Sequence, residues 1–346
     1  MAPTRLERMP RTRRARAVVW TIIVALLSPL WATGRASAMS CSVGASTGAY
    51  GSVNVLSGAA ASATASFTVT CTGGGANQSV LFCLNIGPGT TAVGPSGERV
   101  LRSTSTYINH EFYYDSAHTQ LWGSWGVGSS SAYPSGSPAG IQQIVTLNSS
   151  GSGTFAYTVY ASILASQQST APGSFTWNGN EPTVQYTPGS SGPCPTGGST
   201  SGSGSSFTAT ISSGCNVSTT LLNFGSSPSA ITSNIDSTAT ITAQCTDSTP
   251  YSIGLGNGAN ANGSQRRMQL GTTGNYINYN LYTNSGYSDA WSATTSTTSC
   301  TSGAGTCDLG TGTGSNQNYT VYGRVPPQTA PSSGTYNDTV VVTVTF

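Results

Sequence analysis

The sequence predicts an all-β protein made of two immunoglobulin-like antiparallel β-sandwich domains, the second lacking its final strand. Three observations predict it. Short runs of alternating apolar and polar residues are separated by Gly, Ser and Pro clusters, and helical periodicity is nearly absent. Cys41 and Cys71 are 30 residues apart, and so are Cys215 and Cys245. Tyr157-Thr-Val-Tyr160 recurs as Tyr319-Thr-Val-Tyr322, each followed by a turn cluster and a closing strand.

The first 38 residues read as a secretory signal peptide. Arg5, Arg8, Arg11, Arg13, Arg14 and Arg16 form a basic start, Ala17 to Leu27 is apolar, and Ala36-Ser37-Ala38 supplies a small-residue cleavage site. The apolar stretch is shorter than the ~20 residues a spanning helix needs. Without this segment the chain keeps five arginines, Arg99, Arg102, Arg266, Arg267 and Arg324, against nine acidic residues, a formal net charge of −4. No basic patch remains for nucleic acid.

The remaining ~308 residues suit two domains of ordinary size. Charged residues make up only 6% of the chain, yet 16 tyrosines and six tryptophans are interleaved with Val and Ile. Half-buried strands explain this better than disorder, which goes with high net charge and few aromatics. In order, strand alternation appears in Ala65 to Val69, Ser79 to Ile86, Tyr107 to Tyr114, Gln142 to Leu147 and Thr154 to Tyr160. The second copy supplies Ala239 to Gln244, Tyr251 to Leu255, Ile277 to Tyr282, Tyr319 to Tyr322 and Asp338 to Phe346. Trp122 and Trp291 hold equivalent places after Phe112-Tyr113 and Leu281-Tyr282, which predicts core residues. The expected domains are 39–192 and 207–346. The Gly/Ser/Pro-rich stretch from Thr187 to Ser206 reads as a linker, with 193–206 taken as the linker proper.

Eight cysteines behind an export signal imply oxidised bridges. The repeated spacing predicts Cys41–Cys71 and Cys215–Cys245, each loop worth about 3–4 kcal/mol in the chain-entropy model. Cys300–Cys307 would close a hairpin insertion, and Cys83–Cys194 would pin the linker to the first domain. No cysteine pair has metal-site spacing and there are two histidines, so neither metal nor cofactor is expected.

The ends of the two copies differ. Phe207-Thr-Ala-Thr-Ile211 alternates and precedes Cys215, so Phe207, Ala209 and Ile211 are expected to serve as an internal donor strand for the first domain. The alternative is an ordinary first strand of the second. At the end of the second copy, Tyr336, Val340, Val342, Val344 and Phe346 are expected to face inward, the last four forming the wall of an acceptor groove. Such a sandwich is completed by a strand from another chain. With only Met39 and Ser40 before Cys41, the chain would accept a strand and give none to a neighbour, the expectation for the end unit of a polymer.

These motifs resemble the spore coat protein U domain family. The resemblance lies in the doubled Cys-Ser/Asn-Val start and the Tyr…Tyr…Asp/Asn…Trp block. It extends to the Tyr-Thr-Val-Tyr…Gly-Arg-Val-Pro-Pro-Gln…Gly-Thr-Tyr-Asn-Asp-Thr-Val ending. Two such domains are similar to the tip adhesin of archaic (Csu-type) chaperone–usher pili. That resemblance implies a periplasmic chaperone, an outer-membrane usher, an adjacent pilin, export to the cell surface, and attachment to a hydrophobic surface with biofilm formation. Candidate surface loops carry Val93, Pro95, Trp125, Val127, Tyr133, Pro134 and Pro138, while Trp177 is expected on a strand.

Two non-adhesin readings compete with it: a structural coat or matrix protein, and a lectin-like module using aromatics near Trp125. Enzymatic signals are weak. Gly44-Ala-Ser46-Thr-Gly48 matches a nucleophile elbow without the required helix. Glu98, Glu111 and Asp115 could pair as glycosidase carboxylates. The plainer expectation is that Asp115 holds a turn, since Asn284 replaces it, and that Glu98 pairs with Arg99 or Arg102 at the surface.

Overall fold

The computed structural model describes residues 38–90, 94, 97–124, 140–189, 191–194, 199–201, 204–293, 296 and 307–346. Apart from one 3-10 turn, Val55–Ser57, every regular element among them is a strand. The first sandwich contains β1 (Ser40–Val43), β2 (Thr47–Ser52), β3 (Ala61–Thr72), β4 (Ser79–Asn85), β5 (Arg99–Arg102) and β6 (Tyr107–Tyr113). It continues through β7 (Ile141–Thr146), β8 (Gly153–Ile163), β9 (Gly173–Gly179), β10 (Thr183–Pro188), β11 (Ser199–Ser201) and β12 (Ser205–Ile211). The second contains β13 (Cys215–Thr219), β14 (Ala230–Ile231), β15 (Ile235–Cys245), β16 (Pro250–Leu255), β17 (Arg266–Leu270) and β18 (Tyr276–Tyr282). Its last strands are β19 (Asp308–Thr311), β20 (Gln317–Val325), β21 (Gln328–Thr329), β22 (Tyr336–Asn337) and β23 (Val342–Thr345).

The two copies share a sheet plan. In the first, the order β1-β3-β8-β6-β5-β9-β12-β2 packs over β11-β10-β4-β7; in the second, β13-β15-β20-β18-β17-β22 accompanies β19-β16-β23. Strand by strand, β1, β3, β8, β6, β5 and β9 correspond to β13, β15, β20, β18, β17 and β22. The order of the first sheet then goes on through β12 and β2. The order of the second stops at β22.

Alternation places one face of each long strand inside. In β3, Ala63, Ala65, Phe67, Val69 and Cys71 are buried while the residues between them are mostly exposed. Cys41 lies opposite Cys71 and Cys215 opposite Cys245, each pair with Cα atoms 4.0 Å apart and bonded as a disulfide. Trp122 and Trp291 are each 1% exposed, and each indole N–H donates to the strand beneath, at Leu84 O and Ile253 O. Burying an indole with its N–H satisfied avoids the penalty of a lost hydrogen bond.

The stretch expected to be a linker is largely built into the first sandwich. β10 runs to Pro188, Cys194 is bonded to Cys83, and β11 pairs with the edge of β10. Phe207, Ala209 and Ile211 join the first core rather than the second. Cys307 is disulfide-bonded; Cys300 lies outside the described residues.

Two further expectations change. Asp338 to Phe346 is not one continuous strand: within it only β23 is regular, and the backbone from Asp338 to Val341 is irregular. Arg99 does not meet Glu98 at the surface. It is fully buried and its guanidinium holds Glu111 together with the carbonyls of Ile86, Gly87 and Trp122. Arg266 repeats the clamp on Leu255, Gly256 and Trp291, at 2.8, 2.9 and 2.7 Å. In both copies one arginine ties the strand carrying it to the loop before it and to the tryptophan backbone, satisfying carbonyls that would otherwise be buried unpaired.

An open groove in the second sandwich

β12 lies between β9 and β2. It runs antiparallel to β9 from Ser205–Gly179 to Ile211–Gly173, and parallel to β2 from Ser206–Thr47 to Thr210–Ser52. Phe207, Ala209 and Ile211 are 1%, 3% and 2% exposed, with Thr208 and Thr210 turned to solvent. Burial of Phe207 and Ile211 contributes about 1.5–3 kcal/mol each. The Phe207 ring packs 4.7 Å from Phe112, 6.2 Å from Trp177 and 6.4 Å from Tyr50. What is left of the space around it is a cavity of about 10 Å³, lined in part by Ser46, Ile86, Val159 and Trp177.

In the second sandwich the corresponding space is a groove of about 480 Å³. Leu255, Leu281, Val321 and Thr220 stand where Ile86, Phe112, Val159 and Ser46 stand in the first copy, and all four line it. Thr176 and Asn337 make equivalent pairs with β5 and β17, so Asp338 holds the place of Trp177. The segment equivalent to β2 runs ungapped from Cys215 as Leu221 to Ser226. Tyr50-Gly51-Ser52 matches Phe224-Gly225-Ser226, and both glycines have left-handed φ, +70° and +77°. Yet 220–228 is not a strand. β2 gains its ladder from β12; without a strand in that position the segment has no ladder to join. The same cause shortens β22 to two residues against seven in β9. Leu221 is left 85% exposed.

The groove is apolar at its floor, with Ile241, Leu255, Met268 and Val321, and carries one polar pair on its wall. The Tyr279 hydroxyl donates to Asp338 Oδ2 at 2.7 Å, and the Asn260 N–H donates to Oδ1 at 3.1 Å. Burial, and secondly the bond to Asp338, pushes the Tyr279 phenol well above its ordinary pKa. It is a proton donor at any physiological pH.

Of the groove residues expected from the sequence, Val340 and Val342 are in the lining. Val344 pairs with Ile253 on β16 and is half-buried, but it is not part of the lining. Phe346, just past the end of β23, is 51% exposed and is not part of the lining. Sequence reasoning missed Leu222, Phe224, Tyr279 and Asp338. Only the ungapped match to Gly48 and Tyr50 could have found the first two. Trp177 lies on β9, 1% exposed, with its N–H donating to Pro88 O at 2.8 Å. The surface-loop candidates Val93, Pro95, Trp125, Val127, Tyr133, Pro134 and Pro138 lie outside the described residues.

The enzyme-like patterns resolve into structure. Ser46 connects two strands, is 2% exposed, and its backbone N–H donates to Ser205 Oγ. Glu111 is in the arginine clamp. Asp115 accepts from the N–H groups of Thr119 and Gln120, as Asn284 does from Ser288 and Asp289, so both cap the same turn.

A family model described as the spore coat protein U domain matches residues 29–176 and again 203–343. The chain belongs to this family. Among solved structures, it is similar to the CsuC–CsuE chaperone–tip subunit pre-assembly complex from archaic chaperone–usher Csu pili of Acinetobacter baumannii. That match has 18% identity over 89% of this chain and 100% of that one, with a TM-score of 0.48. The CupB6 tip adhesin from Pseudomonas aeruginosa matches at 12% identity over 89% of this chain and 93% of its own, with a TM-score of 0.33. A chaperone–tip adhesin complex of CFA/I fimbriae matches at 10% identity over 78% and 84%, with a TM-score of 0.28. No curated protein matches the sequence. As a spore coat U protein, the chain carries the domain twice, closed in the first copy and open in the second.

Proposed function

We propose that this protein is the tip adhesin of a chaperone–usher pilus. Its second sandwich accepts an extended strand from the adjacent pilin, and its first, closed by β12, is the part presented to a surface. One observation carries the reading: the position filled by β12 in one copy is a groove of about 480 Å³ in the other. An open sheet edge beside an apolar groove invites addition of a strand, whose main-chain hydrogen bonds give affinity and whose alternate side chains fill the pockets. Family membership and the resemblance in sequence bring the remaining partners: a periplasmic chaperone that holds the groove before assembly, and an outer-membrane usher that delivers the subunit to the cell surface. Apolar loops of the first domain, with Trp125, Val127 and Tyr133 among their residues, make the contact with a hydrophobic surface.

The test is co-expression with a periplasmic pilus chaperone. The wild-type chain is expected to purify as a one-to-one complex, and Val340→Arg, which places a charge in the groove, to lose it while the first sandwich still melts cooperatively. A chain that purifies alone as a stable monomer, with the β22 amides protected from exchange, would overturn the reading. Serine substitutions at Trp125, Val127 and Tyr133 should reduce attachment to plastic with assembly intact; unchanged attachment places the contact on other loops.

A further inference from the structure

We infer that the groove of the second sandwich rejects an aromatic side chain at the position of Phe207, and so cannot be filled by β12 of another copy of this chain. The inference rests on the strand-accepting reading above and concerns which strand the groove takes.

The closed copy supplies the template. There the Phe207 ring lies over Gly48, so closely that a Cβ at Gly48 would sit 2.3 Å from it. The absence of a side chain at position 48 is therefore what admits the ring. In the second copy this position is Leu222, and its side chain turns inward: its Cδ1 reaches within 2.8 Å of where a Cβ on Gly323 would lie, and it lines the groove. Leucine cannot vacate that volume without leaving the core, and forcing a ring against it is overpacking.

The ring would also lose its partners. Phe112 and Trp177, both in contact with Phe207, are replaced by Leu281 and Asp338. A carboxylate already bonded to Tyr279 and Asn260 offers a ring far less apolar contact than an indole does. An aliphatic side chain of about the size of valine would reach less far toward Leu222 and Asp338 than the ring does. The two grooves thus differ in shape as well as occupancy. A strand built for one copy is mismatched to the other, which discriminates against self-association by steric exclusion.

The test appends a strand to the mature chain, 39–346, through a Gly/Ser connection of the length that separates Pro188 from Ser205. One version carries Ser205 to Ile211 as it stands, one carries it with Phe207→Val, and one carries a polar scramble. The valine strand is expected to raise the melting temperature of the second sandwich above that of the native-sequence strand by about 3–10 °C. In a Leu222→Gly background the order should reverse. Equal or greater stabilisation by the phenylalanine strand in the wild-type background overturns the inference and leaves the strand-accepting reading intact. No stabilisation by either strand over the scramble overturns that reading, and the inference with it.

Discussion

Replacing Phe207 with alanine tests the closure of the first sandwich. The side chain is 1% exposed and contacts three aromatic rings, the nearest 4.7 Å away. Its removal opens a hole over Gly48, a residue with no side chain to fill it. Loss of a fully buried phenylalanine in such surroundings costs about 3–5 kcal/mol. For a domain of this size that is a fall of about 6–20 °C in the melting temperature of the first sandwich. Calorimetry on residues 39–346 would measure it, with hydrogen exchange read by mass spectrometry to assign the transition. Exchange should accelerate in peptides from β2, β9 and β12 and stay unchanged in those from β15 and β20. A fall of less than about 2 °C would refute the reasoning. So would a loss of protection confined to residues 215–346, because β12 would then belong energetically to the second sandwich.

Three further outcomes are expected. Arg99→Met leaves Glu111 buried without its partner and should cost about 3–5 kcal/mol in urea denaturation. Arg99→Met with Glu111→Leu should cost less than the sum of the two single changes, and strict additivity would argue against the clamp. His110 is fully buried, and burial, followed by the charge of Arg99, holds its pKa well below the ordinary 6.5. The unfolded chain therefore takes up a proton first, so stability present above pH 6.5 is lost as the pH falls toward the folded value. His110→Phe should flatten that part of the profile measured by thermal melting, and an unchanged slope would count against it. Cys83 and Cys194 close a loop with a sequence separation of 111, so serine at both positions should lower the first transition by about 4–5 kcal/mol and spare the second. Equal destabilisation of both transitions would place the bridge's effect elsewhere.

The duplication was legible because it is written in features that tolerate little drift. Cysteines opposite one another on paired strands and tryptophans whose N–H groups reach a strand carbonyl keep their spacing. The strand identity of Phe207 to Ile211 was legible from alternation, and its partners in space were not, since alternation says nothing about which sheet a strand joins. The burial of Arg99 and Arg266 was not legible, because arginine is usually a surface charge. The clue was positional: each precedes its tryptophan by a similar interval, 23 residues in one copy and 25 in the other. The groove was partly legible. Val340 and Val342 were visible in an apolar run, but Leu222 and Phe224 sit in a stretch whose strand character depends on a neighbour that is not there. Asp338 was hidden for a different reason, since a carboxylate in a strand-like run reads as solvent-facing until its bond to Tyr279 is seen. Phe346 alternates with Val342 and Val344, yet it is 51% exposed, because alternation sets a side and not what covers it.

β12 is joined to the domain it closes by fewer than twenty residues of the same chain. Its docking is a unimolecular event, with an effective concentration fixed by the connecting segment, itself held to the sandwich through Cys194 and β11. Dilution cannot open the first sandwich, and no competitor at ordinary protein concentration can outpace a strand that is always within reach. That half of the molecule can therefore mature without waiting for an encounter, whereas any strand arriving from a separate polypeptide must find its place at the concentration at which that polypeptide is supplied.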